Sequence, residues 1–419
     1  MTVQSHPPNL IFEEVFDPEV IRFTLHVNSE AWKGVLTNDE YVDRELVLGS
    51  SDICTKYTSG SEYAKRFPES HNLLGIKYFV LKDTSLPSTD KMSQIVSRCE
   101  TLNRLGSCIT PNSKGKIEPS LTICIGGVFT PIEYRGKGYA KIMIEKLNSY
   151  YDDIYDKASS ITHELSRTLV RNMVINLYSE VGEYYSKMGY VSKHVPIHDI
   201  PGLDTLNEEY CKTATVTPTA GRMFKYDDYT DMIDLQSKQF KNSLVRLAKD
   251  NPEGFTFTVD ADIDIFKWFE DRDIFIFSKL LEKKKSSFTV DDLRYGYAIT
   301  DGEYKDAHII WHHSWNGNEL IITKIYIPED RQQNADDIAK ILFGEAIKEA
   351  KKFGLTKLEF WDEEIPANKF PELFTVLENM SKHESKTFLS NGSLSAVRPP
   401  HGIHPELVRW DNNTKFCWF

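Results

Sequence analysis

The chain has 419 residues, of which 40% are hydrophobic and 27% are charged, a composition typical of a folded globular protein with two domains. Its formal net charge of −12 argues against nucleic acid or an anionic membrane as the main partner. The sequence contains no apolar run of about 18 residues, and its N-terminal segment lacks the basic and apolar stretches of a secretory signal.

Six cysteines are scattered along the chain without a C-x-x-C pair, so the sequence predicts neither a zinc site nor a disulfide framework. We therefore expect no bound metal. Reduced thiols fit a protein of the cytoplasm, which is the location we expect.

The first third of the chain predicts two helices and several strands of a sheet. Pro18 fits the first position of a helix, and Thr37 and Glu40 form a capping-box pattern for a second helix. Polar residues at 49–71 and 106–119 predict loops. Alternating or β-branched apolar residues predict strands at residues 10–16, 73–83 and 95–104.

Residues 121–151 predict a strand, a glycine-rich turn and a helix in succession. The apolar run ends at Thr130, and a helical pattern follows the basic glycine pair Arg135-Gly136-Lys137-Gly138. At such a turn the free backbone N–H groups and the helix dipole favour an anion. The segment matches neither a P-loop nor a dinucleotide-binding fingerprint. Taken alone, it also fits an ordinary strand–turn–helix connection with surface lysines.

A second pattern lies downstream of this segment. Residues 168–177 predict a strand, and residues 178–188 predict a helix that ends at Gly189. Tyr184 and Tyr185 lie near the end of that helix.

The second half of the chain repeats the order of strand, turn, helix and strand. The turn before its last long helix contains Glu329 and Asp330 but no glycine pair, so we expect this copy to repel an anion. Pro-rich residues 192–222 predict a linker, or a strand followed by a linker, and residues 386–419 predict irregular structure. The predicted helices are residues 226–250, 262–285 and 335–353, and the predicted strands are residues 294–300, 307–315, 319–327 and 355–361.

The two downstream patterns resemble signature motifs of the GNAT N-acetyltransferase superfamily. Residues 135–140 match the pyrophosphate-binding motif [Q/R]-x-x-G-x-[G/A], and residues 184–190 are similar to [F/L]-Y-x-x-x-G-[F/Y/W]. With Cys99-Glu100-Thr101, residues 126–130 and residues 177–182, the chain resembles the fungal lysine N-acetyltransferase family, whose catabolic enzymes acetylate the side-chain amine of free L-lysine. The usual final tryptophan of the second motif is Tyr190 here.

The resemblance implies an α/β fold with mixed sheets and two GNAT-like domains in tandem. Residues 1–200 would form the catalytic domain that binds acetyl-CoA as co-substrate, and residues 201–222 would be a linker. Residues 223–419 would form a degenerate second domain without a cofactor.

The resemblance also implies roles for individual residues. The backbone of Val128, Phe129 and Thr130 would contact the pantetheine arm and the thioester, and a backbone N–H there would hold the oxyanion. Ser179 would contact the pantetheine arm, and Tyr185 would give a proton to the departing thiolate. For all residues of the predicted site, ordinary roles as buried core side chains or as solvated surface charges stay open. The pyrophosphate would be bound by Arg135, Gly136, Lys137, Gly138, Tyr139 and Ala140.

Acetylation of an amine also needs a base, because a lysine ε-ammonium has a pKa of about 10.4 and must lose a proton. Glu100, on the strand beside the cofactor strand, is the first candidate, although an ordinary salt-bridged glutamate fits the sequence nearly as well. His163, His194 and His198 are the alternatives. Adjacent histidines at positions 312 and 313 would point to opposite faces of a strand, so they do not predict a metal site.

We therefore expect direct acetyl transfer from acetyl-CoA to a small-molecule amine, with free L-lysine as the first candidate. The sequence shows no pattern for a covalent intermediate, and we expect neither nucleic acid nor membrane as a partner. Two alternatives stay open: a protein or peptide amine acetyltransferase, and a non-catalytic acyl-CoA-binding protein.

Overall fold

The computed structural model describes residues 9–216, 220–283, 287–383 and 393–419. The start of the N-terminal arm, Pro218 in the predicted linker and the end of the helix predicted at 262–285 lie outside the described residues. The described chain forms two mixed β-sheets with helices packed against them, which confirms the predicted α/β class. No described helix is both long and apolar enough to cross a membrane.

The first half of the chain supplies seven strands and seven helices within the described residues. The strands are β1 (Leu10–Glu14), β2 (Gly75–Asp83), β3 (Ile95–Ile109), β4 (Glu118–Phe129), β5 (Val174–Ser179), β6 (Val191–Ser192) and β7 (Ile197–Ile200). The helices are α1 (Pro18–Trp32), α2 (Asn38–Gly49), α3 (Asp52–Thr55), α4 (Glu62–Arg66), α5 (Tyr139–Asp156), α6 (Glu164–Arg171) and α7 (Leu203–Glu209).

The second half supplies longer helices and the strands of a second sheet. Its strands are β8 (Gly221–Phe224), β9 (Phe255–Val259), β10 (Gly296–Ile299), β11 (His308–Ser314), β12 (Glu319–Tyr326), β13 (Lys357–Trp361), β14 (Leu394–Arg398) and β15 (Val408–Trp410). Its helices are α8 (Thr230–Lys249), α9 (Ile263–Lys283), α10 (Ala335–Lys352) and α11 (Pro371–His383).

The first sheet is antiparallel from β1 to β4, and β4 then pairs with β5 in parallel. The connection between β4 and β5 carries α5 and α6, because parallel neighbours need a long crossover. Strand β14 lies antiparallel to β5 on its other side, and β9 pairs with the far end of β3.

The second sheet repeats this order. Strands β8, β10, β11 and β12 are antiparallel neighbours, β13 is parallel to β12, and α10 forms the crossover. Strand β7 then pairs with β13. In each sheet, therefore, the strand beside the parallel pair comes from the other half of the chain: β14 in the first sheet and β7 in the second.

Each sheet buries the apolar face of its crossover helix. Met143, Ile144 and Leu147 of α5 are fully buried against the first sheet, in one cluster with the core residues of β4. On α10, the predicted face that includes Ile338 and Leu342 is fully buried in the core of the second sheet. Burial of each such side chain contributes about 1.5–3 kcal/mol, so these faces fix both crossovers.

The capping box at the start of α2 forms as predicted. The Thr37 side chain accepts a hydrogen bond from the Glu40 backbone N–H at 3.2 Å, and the Glu40 carboxylate accepts one from the Thr37 N–H at 2.8 Å. We expect Thr37→Ala to lower the free energy of unfolding by about 1 kcal/mol, because one N–H of the first turn loses its partner. Urea denaturation measures this loss. An unchanged midpoint would show that the cap contributes nothing.

Several predicted boundaries are wrong because contacts distant in sequence decide them. Residues 168–171, predicted as strand, belong to α6, and β5 begins only at Val174. The predicted loop at 106–119 shrinks, because β9 pairs with residues 106–109 and extends β3. The polar segment at 49–71 contains the short helices α3 and α4.

The predicted linker and tail also hold regular structure. Residues 203–209 form α7, whose Leu203 and Leu206 are buried in the core of the second sheet. Within the predicted irregular tail, β14 is paired on both sides and β15 pairs with β9. Strand β9 was not predicted, although its sequence FTFTV is rich in aromatic and β-branched residues.

Candidate active site

The parallel strands β4 and β5 separate at their carboxyl ends. Their pairing ends at Ile125 and Leu177, while β4 continues to Phe129 and β5 to Ser179. A β-bulge in β4 sharpens this divergence: Gly126 faces Glu100 and Phe129 faces Arg98, so two residues of β4 lie opposite Cys99 alone. The result is a wedge between two strands, with the backbone of β4 along one side.

Gly127 makes the bulge possible. Its φ of +55° lies in the left-handed region, and a Cβ there would meet Glu100 Oε1 at 2.8 Å and Arg98 Nη1 at 2.9 Å. Glycine accepts both the positive φ and the short distance to these side chains because it has no Cβ. The predicted backbone contacts at Val128, Phe129 and Thr130 lie directly after this bulge; the Thr130 hydroxyl is 3.0 Å from Ser97 Oγ.

The glycine-rich turn after β4 has the conformation of an anion site. Gly136 and Gly138 adopt φ values of +78° and +83°, and the exposed turn leads directly into α5. Within the described residues, none of the backbone N–H groups of residues 136–141 donates a hydrogen bond to the protein. Six donors at a helix N-terminus therefore remain available to a ligand.

Three side chains brace this turn. Arg135 Nε donates a hydrogen bond to the Thr130 carbonyl at 2.9 Å, and its guanidinium lies 5.3 Å from the Phe129 ring. Tyr139 donates a hydrogen bond to Asp83 at 2.6 Å, which ties the first turn of α5 to β2. Burial and this bond raise the pKa of Tyr139 to about 12, so the phenol stays protonated. Lys137 lies over the Tyr134 ring at 5.4 Å, and Ala140 lies in the first turn of α5.

Ser179, predicted to contact the pantetheine arm, ends β5. Its hydroxyl donates a hydrogen bond to the Gly182 carbonyl at 2.6 Å and accepts one from the Val181 N–H at 3.2 Å. The side chain therefore stabilises the turn out of the wedge, and a direct contact to a cofactor stays a prediction.

The helix predicted after β5 is a short 3₁₀-helix at Gly182–Met188, and Gly189 ends it in the left-handed conformation at φ +89°. The Tyr185 ring packs at 5.4 Å from Tyr184 and 6.1 Å from Tyr190. Its hydroxyl has no hydrogen-bond partner among the described residues. Burial raises the pKa of Tyr185, so the phenol carries its proton at neutral pH.

Glu100 lies against the bulge, where it is paired with Arg98. Arg98 Nη2 donates to Glu100 Oε2 at 2.5 Å, and both residues are buried. Burial raises the pKa of Glu100, and the neighbouring guanidinium offsets part of that rise. Glu100 is thus the salt-bridged glutamate considered above, and it also borders a cavity that extends to the second sheet.

A cavity of about 520 Å³ opens at the bulge and extends to the second sheet. Gly126, Gly127 and Glu100 line its inner end, and helices α2 and α9 line its sides. Trp32 lies across the wedge: its ring is 5.9 Å from the Phe129 ring, and its indole N–H donates to Glu180 at 3.3 Å. A cavity of this size suits a small molecule.

Acidic side chains dominate the far wall of the cavity. Asp199 and Glu359 are cross-strand neighbours on β7 and β13, and Glu319 lies on β12. Lys357 pairs with Asp199 at 3.2 Å and with Glu319 at 3.0 Å, whereas Glu359 makes no ion pair with a described residue. Burial raises the pKa of Glu359, and the negative charge of the nearby Glu319 raises this pKa further.

Lys415 lies near the acidic wall. Its ammonium lies 3.8 Å from the Trp418 ring centroid, and burial lowers its pKa.

The histidines proposed as alternative bases do not line the cavity. His163 caps α6 by accepting from the Ser166 N–H, and His198 Nε2 is 2.8 Å from Asp362. His312 and His313 do border the cavity, but each has a ring nitrogen within 4 Å of Asp273. Among the described residues, no cluster of side chains could hold a metal ion.

In the corresponding wedge of the second sheet, a buried side chain of the protein binds the backbone of β12. Pairing of β12 with β13 ends at Ile321, and the Glu364 carboxylate accepts the Ile325 N–H at 2.7 Å beyond that point. Its other oxygen pairs with Lys324 at 2.7 Å, and both side chains are buried. An internal side chain thus takes the backbone group that a ligand would need.

A family model described as the LYC1 GNAT-like C-terminal domain matches residues 208–419. An uncharacterised Saccharomyces cerevisiae protein, YGR111W, is 53% identical over the full length of both chains. A lysine acetyltransferase from Yarrowia lipolytica is 22% identical, covering 97% of this chain and 99% of the relative. Among solved structures, a GCN5-related N-acetyltransferase from Kribbella flavida has a TM-score of 0.43 and 11% identity, covering 93% of this chain and 72% of that one.

The chain therefore belongs to the LYC1 GNAT-like family of N-acetyltransferases, which confirms the resemblance found in the sequence.

Sequence reasoning missed several residues that shape the site. Two consecutive glycines inside a strand do signal a bulge, so Gly127 could have been found. Arg98 and Glu100 are two residues apart on one strand face, so their pairing could also have been expected. Trp32 and Arg272 reach the cavity from separate helices, and no local pattern marks them.

Proposed function

We propose that the protein transfers an acetyl group from acetyl-CoA to the amine of a small molecule, with the side-chain amine of free L-lysine as the first candidate. The observation that supports this most is the cavity, which joins the bulge of β4 to an acidic wall. An acidic wall favours a cationic amine. The name of the Yarrowia relative, a lysine acetyltransferase, agrees with this choice.

Backbone groups of the chain would bind acetyl-CoA and stabilise the oxyanion. Acetyl-CoA supplies the acyl group as a thioester. The backbone N–H groups of residues 136–141 would bind its pyrophosphate, and the wedge after Gly127 would receive the pantetheine arm. Backbone donors of β4 would stabilise the oxyanion there.

Three proton transfers remain: the ammonium loses one proton before attack, the same nitrogen loses a second proton as the amide forms, and the departing thiolate gains one. Two side chains fit the first and the last of these, and the second amine proton would return to the Tyr185 phenolate through water. Glu100, at the inner end of the cavity, would accept a proton from the incoming ammonium, either directly or through a water molecule. Tyr185, a protonated phenol without a partner among the described residues, would give a proton to the thiolate.

We further propose that the chain consists of two GNAT-like domains, residues 1–200 and 223–419, of which only the first binds acetyl-CoA. The repeated strand order supports the tandem arrangement. Glu364 in the second wedge and the acidic turn before α10 support the loss of cofactor binding there. The exchanged strands β7 and β14 would join the domains tightly.

The proposed reaction is tested with purified protein, acetyl-CoA and a panel of amines that includes L-lysine, other amino acids, diamines and lysine-containing peptides. We expect thiol release with L-lysine and a matching mass increase of the amino acid. Acetylation confined to peptides would favour the protein acetyltransferase alternative. The absence of turnover across the panel, with CoA still bound, would favour the non-catalytic alternative.

Tyr185→Phe separates catalysis from binding. We expect thiol release to fall about tenfold or more, because the thiolate loses its proton donor. CoA affinity, measured by calorimetry, should stay unchanged because the ring still packs against Tyr190. Tyr184→Phe is the matched control, since it removes the neighbouring hydroxyl. Equal rates for the two variants would exclude Tyr185 as the acid.

A further inference from the structure

We propose that Arg272 binds a carboxylate of the acceptor, so that the enzyme selects an amino acid over a simple amine. The inference rests on the proposed acetyl transfer and adds a specificity residue to it.

Arg272 lies on the face of α9 that borders the cavity. Trp268, Arg272 and Ile276 are spaced four residues apart, so they follow one another along one side of the helix, and all three line the cavity. The guanidinium carbon of Arg272 lies 5.1 Å from the Trp268 ring and 5.3 Å from the Phe269 ring. Flat aromatic neighbours hold a guanidinium in one orientation.

The side chain lacks a partner within the described residues. The guanidinium of Arg272 makes no hydrogen bond and no ion pair there, although it lies in the wall of the cavity. The adjacent Asp273 is engaged elsewhere, since it accepts the His313 backbone N–H at 2.6 Å. The carboxylates of Asp273 and Glu45 stabilise the charge of Arg272 electrostatically, but neither accepts a hydrogen bond from it, so its donors are suited to bind an anion.

Arg44, the other arginine that lines the cavity, is already neutralised. Its Nε and Nη2 donate to Glu45 at 2.8 and 2.5 Å. Arg272 is therefore the cavity arginine that can offer its full fork of donors to a ligand. A guanidinium of this kind binds a carboxylate with two parallel hydrogen bonds.

The position of Arg272 also defines the shape of the acceptor. The Trp268 ring lies 6.1 Å from the Phe419 ring, and the Phe419 ring lies against Gly126 at the bulge. An aromatic wall thus separates the guanidinium from the backbone of the transfer point. An acceptor whose carboxylate binds Arg272 while its amine reaches the bulge needs an apolar chain between these two groups, as L-lysine has.

The test compares L-lysine with cadaverine, which has the same chain and both amines but no carboxylate. For the unmodified protein we expect kcat/KM for L-lysine to exceed that for cadaverine by about tenfold or more. Arg272→Gln should lower kcat/KM for L-lysine about 10- to 100-fold, mainly through a higher KM. The same variant should keep kcat/KM for cadaverine within about twofold of the value for the unmodified protein. For Arg272→Lys, kcat/KM for L-lysine should lie between the values for the unmodified protein and for Arg272→Gln, because lysine keeps the charge but cannot form two parallel hydrogen bonds to a carboxylate.

Lys279→Gln is the control. Lys279 lies on the same helix, pairs with Glu282 and does not line the cavity, so both substrates should be unaffected. Thermal denaturation of each variant checks that the fold is retained. Equal losses for lysine and cadaverine in a folded Arg272→Gln, or no loss for either, would overturn the assignment, as would equal use of the two by the unmodified protein.

A binding measurement keeps this inference separate from the proposed reaction. Calorimetric titration of the CoA-bound protein with L-lysine and with cadaverine requires no turnover. Tighter binding of L-lysine that Arg272→Gln abolishes would support the carboxylate site even if acetyl transfer were absent. Equal affinity for the two ligands would exclude the carboxylate site, even if acetyl transfer were present.

Discussion

Gly127→Val is expected to reduce acetyl transfer about 100-fold or more. Residue 127 has a φ of +55°, which a β-branched side chain adopts only with strain, and its Cβ would meet the Glu100–Arg98 pair below 3 Å. Either the bulge flattens or the pair moves. Both changes displace the backbone donors of β4, and a displacement of about 1 Å can cost about 100-fold in rate.

Gly115→Val provides the matched control for this prediction. Gly115 also has a positive φ, +77°, but a Cβ there meets no atom within 4 Å. Thiol release with saturating L-lysine is the measurement, and thermal denaturation reports on folding. A folded Gly127→Val with near-normal activity would mean that the bulge does not form the transfer site. A similar loss in Gly115→Val would point to a general effect of strain.

Glu100→Gln is expected to lower kcat about 10²- to 10⁴-fold, the usual contribution of a general base. The amide keeps the size of the side chain but cannot accept the proton of the incoming ammonium. Glu100→Asp should retain part of the activity, because it keeps a carboxylate near the bulge. Thermal denaturation of both variants detects any destabilisation from the lost pairing with Arg98.

The pH profile distinguishes a base from a residue that only supports the fold. Burial raises the pKa of Glu100 above the ordinary value of 4.5. Because only the ionised form accepts a proton, activity should fall as the pH is lowered through this raised pKa. Glu100→Gln should lack that acid limb, whereas Glu100→Asp should keep it. An unchanged acid limb in Glu100→Gln would contradict the assignment.

The sequence predicted those features that local chemistry decides. The capping box of Thr37 and Glu40 and the glycine turn at residues 136–138 each depend on residues close together in the chain, and both form as expected. The order of strand, helix and strand in the second sheet was also visible, because each element keeps its own period of apolar residues.

Features that depend on distant partners could not be predicted in this way. Strand β14 completes the first sheet from the far end of the chain, and β7 completes the second sheet from the predicted end of the first domain. The acidic wall arises only because β7, β12 and β13 become neighbours. Likewise, no local pattern distinguishes Arg272 in a charged helix, and only the fold places its guanidinium at the cavity without a hydrogen-bond partner among the described residues.

A crystal structure of the protein with bound CoA tests the account of the site most directly. We expect the pyrophosphate at residues 136–141, the pantetheine arm between the separated ends of β4 and β5, and the sulfur near Gly127 within reach of the Tyr185 hydroxyl. CoA bound elsewhere, for example between β12 and β13 after displacement of Glu364, would contradict it.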